Sequence, residues 1–212
     1  MVILAALAIG WQRPPAEEVL KSVISHYQKL KSLSVKIIHH ADFMADVKDS
    51  TDALTFLAPK RFELVSDKES IPKLICDGKR LTTFIPQIAP ISEPFDTDLS
   101  RTKPWEARGG ILLSCLMRGA LANQLLHPMK PIKISFEHGK TIHWHDASVS
   151  EIIETISISG ATEHISYYLT ANYQQLVGTE VISGGQTSWT QYTDTVENPE
   201  LPKTLGGIGA GR

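Results

Sequence analysis

The hydrophobic positions of this chain change period several times along its length. Val19, Leu20, Val23, Ile24, Tyr27, Leu30 and Leu33 recur at three- and four-residue spacing, which predicts an amphipathic helix with one apolar stripe. Arg13-Pro14-Pro15-Ala16-Glu17-Glu18 supplies its start, because prolines and acidic residues suit a first helical turn, and it should end near Lys31-Ser32. From Ser34 to Phe43 the pattern alternates, with Val35 and Ile37 on one face and Lys36 and Ile38 on the other, as in a strand. Asp49-Ser50-Thr51-Asp52 reads as a turn. Ala53 to Ala58 and Arg61 to Ser66 follow as short strands around Pro59, which argues for an edge, a bulge or a bend. Leu74 to Cys76 and Arg80 to Ile85 flank the hairpin dipeptide Asp77-Gly78. Residues from about 34 to 86 therefore read as a β-meander.

Pro86 to Pro104 is loop-like, with prolines at 86, 90, 94 and 104. Gly109-Gly110 opens a second apolar segment, Ile111 to Leu126, too long for a strand and rich in Leu and Ala. It is predicted to be a helix that is apolar nearly all round, and such a helix has to be covered on most sides. His127-Pro128 ends it. Strands return at Ile132 to Phe136, Thr141 to Trp144, Val149 to Ser159, His164 to Thr170, Gln175 to Ser183 and Thr187 to Thr193. Glu137-His138-Gly139-Lys140, Ser159-Gly160 and Gly184-Gly185 are the expected turns. The order helix, strands, helix, strands lacks βαβ alternation, so the pattern favours an antiparallel sheet curled around helices over a doubly wound parallel one.

At 212 residues the chain can bury a core without metal or disulfide staples. Its formal net charge of -2 gives no electrostatic footprint for nucleic acid, and no Lys/Arg block is present to dock on anionic lipid. Val2 to Trp11 is apolar and uncharged. It is too short to span a bilayer as a helix, which takes roughly 20 residues, but it fits the h-region of a secretory signal peptide, with Ala6-Leu7-Ala8 at cleavage-site spacing. It lacks a basic n-region, and the plainer reading is an ordinary strand or helix start. No Cys near it offers a site for lipid attachment. Cys76 and Cys115 allow one disulfide in an oxidising compartment, or are two buried small hydrophobes.

Little in the sequence points to catalysis. His143-Trp144-His145 places two histidines on one face of a strand, with Asp146 next, which could begin a zinc or copper site. Further ligands would have to come from His138 or His164, and two histidines on a solvated strand face are the plainer reading. His39 and His40 face opposite ways on their strand and cannot chelate together. Ser114-Cys115 lies in the apolar helix with no base nearby in sequence to activate a nucleophile. No phosphate-binding Gly loop, Gly-x-Ser-x-Gly or His-Glu-x-x-His occurs. We therefore expect a non-enzymatic protein with no cofactor and no metal. A curled sheet around an apolar helix can form a concave apolar cavity, the usual form of a small-molecule site.

Four stretches carry a family resemblance: AEEVLKSVISHYQKLKSLSVKI (16 to 37), LTFLAPKRFELVSD (54 to 67), LICDGKRLTTFIP (74 to 86) and TSWTQYTDTVENPELPKTL (187 to 205). In order and spacing the chain resembles the LolA-like superfamily of periplasmic lipoprotein carriers and their relatives. The resemblance implies an α+β, mainly β fold: an unclosed antiparallel β-barrel with helices covering the open side. It implies one half-barrel domain over 16–205, with 1–15 a signal-peptide remnant and 206–212 a flexible Gly-rich tail. It also implies a periplasmic or otherwise extracytoplasmic location and an apolar cavity that holds acyl chains. The expected lining residues are Phe56, Phe62, Phe84, Leu112, Leu116, Leu121 and Trp189. The partners expected are lipid or a lipoprotein acyl chain and membrane-associated donor or acceptor proteins, with no nucleic acid, and the chain is expected to be a monomer. Two departures stand out. The carriers have an Arg just before the Pro of the second stretch, where this chain has Ala58, and relatives continue into a Phe-rich strand where this chain runs from Leu205 into glycine. The alternatives are an envelope sensor or protein-interaction module on the same fold, and a metal-dependent enzyme using His143 and His145.

Overall fold

The computed structural model describes residues 13–41, 49–95, 104–119, 133–158 and 161–201. The apolar N-terminal run, Phe43, Leu121, the Ser159-Gly160 turn and the Gly-rich tail lie outside the described residues.

The first helix, α1, spans Ala16–Gln28, and its apolar stripe of Val19, Leu20, Val23, Ile24 and Tyr27 is buried. Glu17 and Glu18 occupy its first turn, where a negative charge favours the positive end of the helix dipole. Six strands follow: β1 (Ser32–Ala41), β2 (Asp49–Leu57), β3 (Arg61–Ser66), β4 (Lys73–Asp77), β5 (Arg80–Phe84) and β6 (Ile91–Pro94). Helix α2 (Pro104–Arg118) comes next, and then β7 (Lys133–Trp144), β8 (Ala147–Ile158), β9 (Ala161–Leu169), β10 (Leu176–Ser183) and β11 (Gln186–Glu197).

All eleven strands form one sheet in the order β6-β5-β4-β3-β2-β1-β11-β10-β9-β8-β7. Every observed pairing is antiparallel. The first and last strands meet in the middle, with Ile37 opposite Tyr192 and His40 opposite Trp189. Among the described residues β6 and β7 are the two edges, so the sheet they form is not closed into a barrel. The architecture is the mainly β, α+β unclosed barrel that the sequence predicts.

Strand alternation sorts the side chains onto two faces. Leu33, Val35 and Ile37 of β1, Leu54 and Phe56 of β2, and Ile152 and Ile156 of β8 point to an inner face, where they form one core with the buried sides of both helices. The opposite, outer face carries a smaller cluster built on Trp144, Val149 and Tyr168.

Two turns behave as their residues require. Asp77 Oδ1 accepts the N–H groups of Lys79 and Arg80 at 2.8 and 2.7 Å, and Gly78 takes the positive φ of 97° that closes the hairpin. Gly184 and Gly185 both have positive φ, 58° and 79°, as a two-residue hairpin loop between β10 and β11 demands.

Four expectations are corrected. Asp49-Ser50-Thr51-Asp52 is not a turn but the start of β2, because Asp52 finds its polar partners across the fold rather than in solvent. Glu137 to Lys140 does not turn the chain: β7 runs through it, and a register shift between His138 and Thr141 absorbs the extra residues as a bulge. The proline-rich stretch contains the short edge strand β6, paired with β5 and exposed throughout, a place where proline is tolerated. Gly109-Gly110 does not open α2 but kinks it. Gly110 has φ 59° and ψ -160°, and helix continues on both sides.

Candidate functional site

The inner face of the sheet and the helix laid on it make the candidate site. α2 belongs to the connection from β6 to β7, which crosses from one edge strand to the other. From Ile111 to Met117 every residue of α2 is buried, Ser114 included. A helix apolar on all sides is stable in water only when covered in this way. Tyr27 ties α1 to the sheet from the other side, its hydroxyl accepting the Leu176 N–H at 3.0 Å.

Two polar anchors hold α2 in place. The first joins Arg108, just before the kink, to Asp52 of β2. Arg108 Nη2 donates to Asp52 Oδ1 at 2.7 Å and Nε to Oδ2 at 3.1 Å, while Nη1 donates to the Pro72 carbonyl. Asp52 is 1% exposed, so this is a buried fork-to-fork pair. His39 Nε2 stands 3.5 Å from Asp52 Oδ2, at the limit of hydrogen-bonding reach. Burial pushes the Asp52 carboxyl up, but His39 and Arg108 together outweigh it and hold the group below its ordinary value. The second anchor follows from the kink. Gly110 interrupts the helical ladder, and the Leu112 N–H is taken by Tyr192 Oη at 3.3 Å. A Cβ on Gly110 would lie 2.7 Å from that hydroxyl, so glycine is required both for conformation and for space.

Further buried polar groups lie among the inner-face residues of β7, β8 and β9. Glu154 is wholly buried between Ile152 and Ile156, and Tyr167 Oη donates to its Oε2. Burial pushes the Glu154 carboxyl up, towards the neutral acid. The Tyr167 and Tyr192 hydroxyls are likewise driven up by burial and stay protonated.

The structure brings together Phe56, Phe62, Leu112 and Leu116, all buried in the main core with α1 and the inner sheet face. Phe84 does not join them. It is half-buried and, three residues after inward-facing Leu81, falls on the outer face. Trp189, paired with His40 and three residues before inward-facing Tyr192, also lies on the outer face. There it packs against the cluster of Trp144 and Tyr168. Cys76 and Cys115 are free and buried, and burial drives their thiols up to about 11 and about 12.

The polar anchors escaped sequence reading, although a signal for them existed. Asp52 has the parity of Leu54 and Phe56, and Glu154 that of Ile152 and Ile156. A carboxylate at an inward position of a good alternation marks a buried polar partner. The histidine pair fares differently. β7 ends at Trp144, and His145 turns with φ 50° into the hairpin, so His143 and His145 do not share a strand face. His145 packs on Trp189 instead, with ring centroids 4.6 Å apart, and no group of three or more metal-ligating side chains exists among the described residues. No described helix is long and apolar enough to cross a membrane.

No family model matches the sequence, and no curated protein matches it significantly. Solved structures do resemble it. The lipoprotein LppX of Mycobacterium tuberculosis superposes with a TM-score of 0.53 at 11% identity, over 87% of this chain and 96% of that one. The chain shares the fold of that protein. LprF from Mycobacterium bovis matches at a TM-score of 0.48 and 11% identity, over 88% of this chain and 94% of that one. A LolA superfamily protein from Nitrosomonas europaea matches at 0.37 and 10% identity, over 90% of this chain and 96% of that one. At these identities the likeness is one of fold alone. In this sheet Ala58 precedes Pro59 at the turn from β2 to β3, and Arg108, carried by the helix itself, pairs with Asp52 of β2.

Proposed function

We propose that this chain is a non-enzymatic binding or carrier protein for an apolar ligand, lipid or an acyl chain, acting outside the cytoplasm. The observation that carries the reading is the inner face itself. A mostly apolar sheet surface is covered by a separate, kinked helix that is apolar on all sides and held by a few identifiable polar contacts. Phe56 and Phe62 on the sheet, and Leu112 and Leu116 on the helix, would exchange contacts across the sheet–helix interface for contacts with a ligand. Burying hydrocarbon there gains about 0.8 kcal/mol per methylene, with no demand for many polar groups. The fold shared with LppX supports the same reading, as does the pattern of Val2 to Trp11 for export. On this reading residues 16–205 form the working domain.

The test is native mass spectrometry of the purified full chain before and after organic extraction. A co-purifying adduct in the mass range of a lipid is the expected result. A clean apo mass, unchanged after incubation with envelope lipids, overturns the proposal. A second reading, a protein-interaction module, is favoured by the aromatic cluster on the outer face. There Trp144 stacks on Tyr168 at 4.4 Å, and Trp189 packs between His40 and His145 at 5.2 and 4.6 Å. Aromatic side chains of this kind are enriched where proteins meet.

A further inference from the structure

Among the described residues, two buried polar atoms at the β7–β8 end of the sheet have no hydrogen-bond partner: Glu154 Oε1 and His138 Nδ1. Glu154 lies opposite Phe136 and His138 opposite Ile152, so the two are diagonal neighbours on the inner face. Their chemistry is complementary. Tyr167 donates to Glu154 Oε2, so Oε1 is the carboxyl oxygen left without a partner, and burial favours the protonated form of the acid. The Pro14 carbonyl can only accept, so His138 Nε2, 2.6 Å away, carries the hydrogen. Nδ1, the other ring nitrogen, is left without a partner. The two groups do not satisfy each other, and two unpartnered polar atoms at neighbouring positions are uncommon in a native interior.

One group that accepts and donates at once satisfies both atoms, and a hydroxyl is the simplest. A carboxylate could only accept and an ammonium only donate. Ile152, Ile156, Ile165 and Phe136 are strand neighbours of the pair, and Tyr173 packs edge-on against the His138 ring. A groove of about 470 Å³ opens beside Phe136, between the Pro15–Glu17 start of α1 and Ile134 to Phe136 of β7. We propose that His138 and Glu154 form a polar subsite for the hydroxyl of an amphiphilic ligand whose hydrocarbon part lies on the apolar inner face. The proposal rests on the binding-protein reading above and names the ligand class for it.

The experiment measures displacement of the apolar dye N-phenyl-1-naphthylamine from the full chain by 1-dodecanol, dodecane and dodecyl methyl ether. The alcohol should bind about tenfold tighter than the alkane, the gain from one satisfied buried polar pair. The ether, which cannot donate, should lose most of that advantage. Glu154→Leu and His138→Phe should each bring alcohol and alkane within about twofold while keeping alkane affinity. Glu154→Gln, whose amide still donates from the same place, should retain the preference. His138 is only half-buried, so His138→Phe decides the matter if Glu154→Leu does not fold. Equal binding of all three probes by the wild type, or a preference that survives both variants, overturns the subsite and leaves the carrier reading standing; a water bridging the two groups would give the former result. Failure of every probe to bind overturns both.

Discussion

The Arg108–Asp52 pair makes the most demanding test of how α2 is held. Replacing Asp52 by Asn removes the carboxylate charge and leaves Arg108 in place. The aspartate is 1% exposed and the arginine side chain 18%, so the guanidinium cannot recover much hydration. Breaking one side of such a buried pair costs about 3–5 kcal/mol, because the remaining charge is stranded. Asp52→Asn should therefore lose about 3 kcal/mol in urea unfolding at pH 7, followed by tryptophan fluorescence. The double variant Asp52→Leu/Arg108→Met, which strands nothing, should regain much of that loss. The pair also sets a pH dependence. Asp52 is held below its ordinary value in the fold. Its contribution is then fully present above the unfolded carboxyl value of about 3.9 and is lost as pH falls through the lower folded value. Asp52→Asn should flatten that acid limb of the stability curve. A loss below about 1 kcal/mol at pH 7, or a double variant no better than the single, would refute the reasoning.

Two other outcomes are expected. Gly110→Ala forces a side chain onto a φ of 59° and to within 2.7 Å of Tyr192 Oη, and should cost about 1–3 kcal/mol in the same unfolding assay. Cys76 and Cys115, free and buried with thiols driven up to about 11 and about 12, should resist iodoacetamide at pH 8 in the native protein and react together on unfolding, as read by mass.

What the sequence made legible was mostly local. The stripe of α1, the Asp77-Gly78 hairpin and the Gly184-Gly185 loop each rest on a period or a turn chemistry contained in a few residues. The errors came where a distant partner overrides that chemistry. Asp49 to Asp52 has a turn's composition, but Arg108 lies 56 positions away and converts the aspartate into an inward strand residue. Gly139 has a turn's freedom, but the pairing of β7 with β8 on both sides of it keeps the strand going. Trp189 reads as a pocket residue by size and hydrophobicity, and only its register opposite His40 shows which face it takes. The inward burial of Phe56 and Phe62, and of the aliphatic residues that alternate with polar ones, was readable. The polar groups that anchor the helix or lie unpaired in the interior were not, since their parity has meaning only once a burying layer is known.

The pairing of β1 with β11 has a consequence for biogenesis. Emerging from a ribosome, β1 has its β2 neighbour within a few dozen residues, but its other side stays bare until β11 has appeared. A strand edge of inward Leu33, Val35 and Ile37 is thus kept waiting for most of synthesis. Such long-range closure is slow and leaves the nascent chain prone to mispairing. A chain built this way can close its sheet only once β11 has emerged, so β1 has to be kept from mispairing until then.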